Sequence, residues 1–114
     1  MTRNDPALLA FLAEQRAEYT RSLPRRLEQV ASLWQQILKG EALSEALPAF
    51  ERHAHSLAGS AATFGWAELG LAAQALELAI EPHVSAGQPL APEAQAEVGR
   101  AVEELQRRFH GAAR

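Results

Sequence analysis

Residues 52–65 read RHAHSLAGSAATFG, and this stretch decides how the chain is interpreted because two histidines are followed by a run of small residues. Two histidines that hold one metal ion from a helix need a spacing of three or four residues. His53 and His55 are two residues apart, and in a helix this spacing turns one side chain about 200° from the other. We therefore interpret them as two independent residues and predict no metal site here.

The composition predicts one folded helical domain over residues 1–114. Hydrophobic residues make up 47% of the 114 positions, and there is no cysteine, which excludes disulfides and cysteine-based zinc sites. The formal charge of −3 comes from mixed basic and acidic residues, so nucleic acid is not an expected partner. No apolar run is long enough to cross a membrane and no signal peptide is evident, so we expect a cytoplasmic protein.

Turn residues divide the chain into amphipathic helices. Asp5 and Pro6 form a helix start, and Gly40 and Gly65 are typical helix stops. Because prolines disrupt helix interiors, we expect breaks or ends near the prolines at 24, 48 and 82. The predicted helices cover residues of about 6–20, 22–39, 46–64, 66–81 and 92–110. This pattern predicts an all-α antiparallel up-down four-helix bundle with an additional N-terminal helix, either packed across one end or continuous with the second helix.

Helix periodicity separates the two histidines by direction. With Leu57 at the centre of the inward stripe, His53 lies about 40° from it at the edge of the core, and His55 lies about 160° away, facing solvent. Gly59, one turn after His55, costs a helix about 1 kcal/mol relative to alanine, so its use here favours close approach by another protein's backbone. The predicted docking face around His55 contains Glu51, Arg52, Ala58, Gly59 and Ala62.

The segment AHSLAGSAATFG, followed by LAAQALE, resembles the histidine-containing phosphotransfer (HPt) domain. The likeness is greatest to the phosphotransfer domain of chemotaxis-type histidine kinases. It covers residues of about 50–77, and the helical pattern fits the rest of the chain. The family's motif of histidine, small residues, a Phe-Gly pair and a final Leu-Glu corresponds here to His55, Leu57, Gly59, Phe64, Gly65, Leu76 and Glu77.

The resemblance implies that His55 accepts a phosphoryl group on its outer ring nitrogen. It further implies that Glu77 orients the imidazole through the inner nitrogen, with Gln74 as a further polar partner. The implied partners are receiver domains of response regulators and a histidine kinase, often hybrid. The receiver would supply Mg²⁺, so we expect no intrinsic cofactor, a monomeric phosphoryl carrier and no autonomous catalysis.

Residue 58 departs from the family pattern, which usually has lysine at that position. Ala58 leaves three interpretations: Arg52 replaces the missing charge, transfer is slower or relies on the receiver's charges, or the domain is a degenerate adaptor that binds a receiver or kinase without carrying phosphate. An autonomous metal-dependent hydrolase is disfavoured because no ligand-type residues converge on one helix face. The initial Met and the short tail favour an independent protein over a domain cut from a larger kinase.

Overall fold

The computed structural model describes residues 5–112, which form an all-α bundle of four helices in antiparallel contact. The described residues contain no strand, as the sequence predicts. Residues 1–4 and 113–114, which the predicted domain includes, lie outside the described residues. The helices are α1 (Pro6–Leu38), α2 (Leu43–Ser60), α3 (Ala67–Val84) and α4 (Pro92–Ala112), and a 3₁₀ turn (Ala62–Phe64) follows α2.

The additional N-terminal helix is not a separate element, because residues 6–38 form one continuous helix. The predicted start is confirmed: the Asp5 carboxylate accepts a hydrogen bond from the backbone N–H of Ala7 at 3.0 Å. The expected break at Pro24 does not occur. Pro24 removes the hydrogen bond to the carbonyl of Thr20, but Thr20 is exposed, so water can satisfy that oxygen.

The same reason explains two further corrected boundaries. Helix α2 begins at Leu43 rather than at about 46, and Pro48 lies inside it. Helix α3 runs to Val84 rather than to 81, and Pro82 lies inside it. The carbonyls that these prolines leave without a donor belong to exposed residues, Ser44 and Leu78. A proline is tolerated inside a helix when the carbonyl that it frees faces solvent.

Polar and aromatic contacts join α1 to the end of α2. The Tyr19 hydroxyl and the Ser60 hydroxyl lie 2.8 Å apart, and the Tyr19 ring stacks on Phe64 with ring centres 4.6 Å apart. The indole N–H of Trp66 donates to the Thr20 hydroxyl at 3.1 Å. Gly65 closes this connection with a φ of 93°, a conformation that favours glycine. These contacts hold the middle of α1 against the last residue of α2 and the segment that follows it.

The first turns of α1 extend past the bundle. Leu8, Leu9, Phe11 and Leu12 are 40–57% exposed, and the first buried residue of the helix is Tyr19. The continuous helix accounts for the 55 Å longest dimension of the molecule, since 33 residues span about 50 Å. Within residues 5–112, no helix is both long and apolar enough to cross a membrane.

Two leucines on the same stripe of α1 should differ in their effect on stability. Leu23 is fully buried, whereas Leu12 is 45% exposed. We expect Leu23→Ala to lower the free energy of unfolding by about 2–5 kcal/mol, because it opens a cavity. Leu12→Ala should change it by less than about 0.5–1 kcal/mol. Urea unfolding followed by circular dichroism measures both, and equal losses would contradict the observed end of the core.

Candidate functional site

The two histidines of α2 point in different directions, as their spacing predicts. His55 is exposed over 75% of its side chain. His53 is half-buried, and the positive charge of Arg26 on α1 is one of the causes that lower its pKa, after burial itself. The helix therefore presents one imidazole to solvent and holds the other against its neighbour.

The His55 ring is held by a carboxylate from α3. Its Nδ1 lies 2.6 Å from Oε2 of Glu77, whose side chain is only 20% exposed. A carboxylate can only accept, so Nδ1 carries the proton and donates. The second ring nitrogen, Nε2, is then the unprotonated one in the neutral imidazole, and it keeps its lone pair. This places a nucleophilic nitrogen at the surface in a fixed orientation.

Small residues bring α2 and α3 close enough for this hydrogen bond. Ala54, Ala61 and Ala73 are completely buried, and Gly70 is buried beside the end of α2. A Cβ on Gly70 would lie 3.4 Å from the backbone nitrogen of Ala62 and 3.6 Å from the Cβ of Ala61. With such short side chains between them, the helix backbones approach closely, and the side chain of Glu77 on α3 can reach the exposed face of α2.

An open groove of about 670 Å³ lies beside His55. It extends from α1 across the outer face of α2 to α3, and it faces the N-terminal side of His55. Side chains on a helix lean toward its N-terminus, and accordingly three of the other four α2 residues that line the groove precede His55, whereas Ser56 follows it. The lining residues are Arg26, Glu51, Arg52, His53, His55, Ser56 and Glu77.

The predicted docking face divides into two parts. Glu51 and Arg52 line the groove, whereas Gly59 and Ala62 form a bare exposed surface on the other side of His55. Ala58 differs from the expectation: it is half-buried and packs against the core, because it lies on the side of α2 that turns toward α3. A Cβ on Gly59 would meet no atom within 4 Å, so packing within residues 5–112 does not require glycine there.

Gln74 is exposed on α3, and within the described part of the chain no hydrogen bond joins it to His55. Sequence reasoning missed Arg26 and Ser56, which line the groove. Ser56 follows His55 directly, and its helix angle could have placed it next to α1. Nothing in the sequence pattern of α1 marks Arg26 as a neighbour of His55. In residues 5–112, no three histidine or acidic side chains are grouped to hold a metal ion.

The half-buried His53 should make stability depend on pH. Partial burial lowers the pKa of His53 below its ordinary value of 6.5, and the charges of Arg52 and Arg26 lower it further. The folded protein then binds this proton less readily than the unfolded chain, so stability is lost as the pH falls below about 6.5. We expect the free energy of unfolding to decrease between pH 7 and pH 5, and to decrease less in His53→Gln.

The control for this measurement is His110→Gln, which changes an exposed histidine at the end of α4. Urea unfolding at both pH values gives the slope for each variant. His110→Gln should keep the slope of the unmodified protein. An unchanged slope in His53→Gln would contradict the assignment of the pH dependence to this residue.

Comparison with known families agrees with this geometry. The family model of the Hpt domain matches residues 14–108, which include most of α1 and all of α2 and α3, and reach into the last turns of α4. The exposed first turns of α1 lie outside the matched span. No curated protein and no solved structure matches this chain. The family match covers most of the sequence, and it contains His55 and Glu77; the chain therefore belongs to the Hpt domain family.

Proposed function

We propose that this protein carries a phosphoryl group on His55 and exchanges it with the aspartate of receiver domains in a bacterial phosphorelay. Membership of the Hpt family implies histidine phosphotransfer. The observation that carries the assignment to His55 is its exposed imidazole, whose Nδ1 is held by Glu77 while Nε2 is open to a partner.

The proposed step needs little from this chain. Nε2 of His55 attacks the phosphorus of a receiver's phospho-aspartate, a P–N bond forms, and the P–O bond to the aspartate carboxylate breaks. The proton stays on Nδ1, and the imidazole gains positive charge as the bond forms. The Glu77 carboxylate, 2.6 Å away, stabilises that charge and keeps the ring oriented. The reverse step returns the phosphoryl group to an aspartate.

The remaining machinery belongs to the proposed partners. The receiver would supply Mg²⁺ and the charges that stabilise the transferring phosphoryl group, so the domain acts as a carrier without catalysis of its own. The bare surface at Gly59 and Ala62 supports docking of a receiver, because an interior glycine otherwise costs about 1 kcal/mol. We place the protein in the cytoplasm as a monomer. A histidine kinase, often hybrid, would pass phosphoryl groups to it through the kinase's receiver domain.

The carboxylate contact to Nδ1 supports the likeness to chemotaxis-type phosphotransfer domains, in which a glutamate has this role. The family match alone does not distinguish among branches of the family. Gln74 stays a prediction as a further polar partner of the His55 ring, and it is exposed on α3, one turn before Glu77.

Ala58 favours a second candidate function, an adaptor that binds a receiver or kinase without carrying phosphate. The position of the family's lysine holds a half-buried methyl group and offers no charge to a phosphoryl group. The held and exposed imidazole of His55 favours the carrier over the adaptor, because simple docking does not require a fixed ring orientation.

Incubation with a phosphorylated receiver, or with a kinase and ATP, tests the proposal. We expect one acid-labile, alkali-stable phosphate per chain, and none in His55→Gln. His110→Gln is the matched control, since it removes an exposed histidine far along the chain and should be phosphorylated normally. No phosphate with any cognate receiver or kinase would favour the adaptor, and phosphate on His55→Gln would refute the site.

Replacing Glu77 should slow transfer without removing the phosphate site. Glu77→Ala deletes a charge-assisted hydrogen bond, so we expect the single-turnover rate from a phosphorylated receiver to fall by about tenfold or more. Glu77→Gln keeps an acceptor oxygen and should lose less. Glu81→Gln, on an exposed residue one turn later, is the control and should retain the full rate. Equal rates for Glu77→Ala and Glu81→Gln would argue against an orienting role.

A further inference from the structure

The groove beside His55 holds two basic and two acidic side chains from three helices. Glu51 and Glu77 contribute carboxylates, and Arg26 and Arg52 contribute guanidinium groups. A phosphoryl group adds about −1.5 to −2 charges next to the two carboxylates. Arg26 and Arg52 carry positive charges that could offset it, because the side chain of Ala58 has no charge.

Contacts along α1 hold the Arg26 side chain in place. Its Nε donates to the Ser22 hydroxyl at 2.8 Å, and the Ser22 hydroxyl donates to the Tyr19 carbonyl at 2.6 Å. The guanidinium carbon lies 5.3 Å from the centre of the Tyr19 ring. These contacts use Nε and one face of the guanidinium group, and they leave its terminal nitrogens available as donors.

Three other arginines among residues 5–112 form ion pairs with carboxylates, whereas Arg16, Arg25, Arg52 and Arg100, like Arg26, form none. Arg21 binds Glu14, and Arg107 and Arg108 bind Glu104. Within residues 5–112, Arg26 forms no ion pair with a carboxylate. A held guanidinium group without a carboxylate partner, at the wall of an open groove, is suited to bind an anion that enters the groove.

The contact with Glu77 turns the other ring nitrogen of His55 away from α3. Nδ1 points to Glu77 on α3, and the two nitrogens lie on well-separated sides of an imidazole ring. Nε2 therefore points away from α3, across the outer face of α2. The groove lies on this face, and it is lined there by Arg52 of α2 and Arg26 of α1.

We propose that Arg26, with Arg52, binds the phosphoryl group on His55 and so replaces the charge that Ala58 does not supply. The proposal rests on the proposed function, because it assigns a phosphate-binding residue to that site. It adds a residue from α1, a helix that the motif around His55 does not include.

A partner-independent phosphate donor tests Arg26 directly. Phosphoramidate transfers its phosphoryl group to an imidazole nitrogen as its P–N bond breaks and ammonia leaves, so no receiver is needed. Intact mass spectrometry of the full chain follows phosphorylation of His55 and the decay of the phosphorylated form. Arg26→Gln should slow phosphorylation about five- to tenfold, and the difference should shrink in high salt.

Matched variants separate charge from structure. Arg25→Gln removes the same charge from the neighbouring exposed residue and should stay within about twofold of the unmodified rate. Arg26→Lys keeps the charge and should restore most of the rate, which a purely structural role for Arg26 does not explain. Ala58→Lys added to Arg26→Gln should also raise the rate. Unfolding by urea confirms that each variant is folded.

The outcomes distinguish a failure of the role of Arg26 from a failure of the carrier function. If the unmodified protein is phosphorylated on His55 and Arg26→Gln reacts as fast as Arg25→Gln, the role of Arg26 is overturned and the carrier function stands. An Arg26→Lys variant as slow as Arg26→Gln also overturns the charge argument. If His55 is phosphorylated by neither phosphoramidate nor a phosphorylated receiver, the proposed function fails, and the inference fails with it.

Discussion

The close packing of α2 on α3 is the constraint on which the site depends. Alanines and one glycine occupy the contact, so that the backbones lie near each other and Glu77 reaches His55 from the neighbouring helix. A larger side chain at Gly70, where even a Cβ would lie 3.4 Å from the backbone nitrogen of Ala62, would separate the helices. The ring of His55 would then lose its partner although both site residues were unchanged. The small residues thus serve the geometry of the site as well as the core.

The arrangement of charges around His55 follows from the same bundle. Glu77 is needed to hold the ring, but it adds a negative charge beside the place where a phosphoryl group would bind. Arg52 lies on the helix of His55, whereas Arg26 enters the groove from α1. The two guanidinium groups offset the two carboxylates of the groove.

Sequence patterns located the helices well and their ends less well. The helix start at Asp5 and the stop at Gly40 lie where expected, because each depends on local backbone chemistry. Gly65 instead ends the 3₁₀ turn, since α2 stops at Ser60 rather than at 64. The prolines were misleading, since a proline removes one hydrogen bond without always ending a helix, and here the residues whose carbonyls lose that bond are exposed. That exposure is a property of the folded bundle. The supposed separate first helix is the exposed N-terminal part of α1, and its apolar residues alone did not reveal that nothing within residues 5–112 covers them.

The sequence by itself determined that His55 faces solvent and that His53 does not, because helix periodicity is a local property of the chain. The family motif pointed to Glu77, and in the folded protein its carboxylate lies 2.6 Å from the ring. Only the tertiary structure decided that Ala58 turns toward the core and that Arg26 lines the groove of His55. These facts depend on which side of α2 each neighbouring helix occupies, and that choice follows from the packing of all four helices together rather than from any one segment.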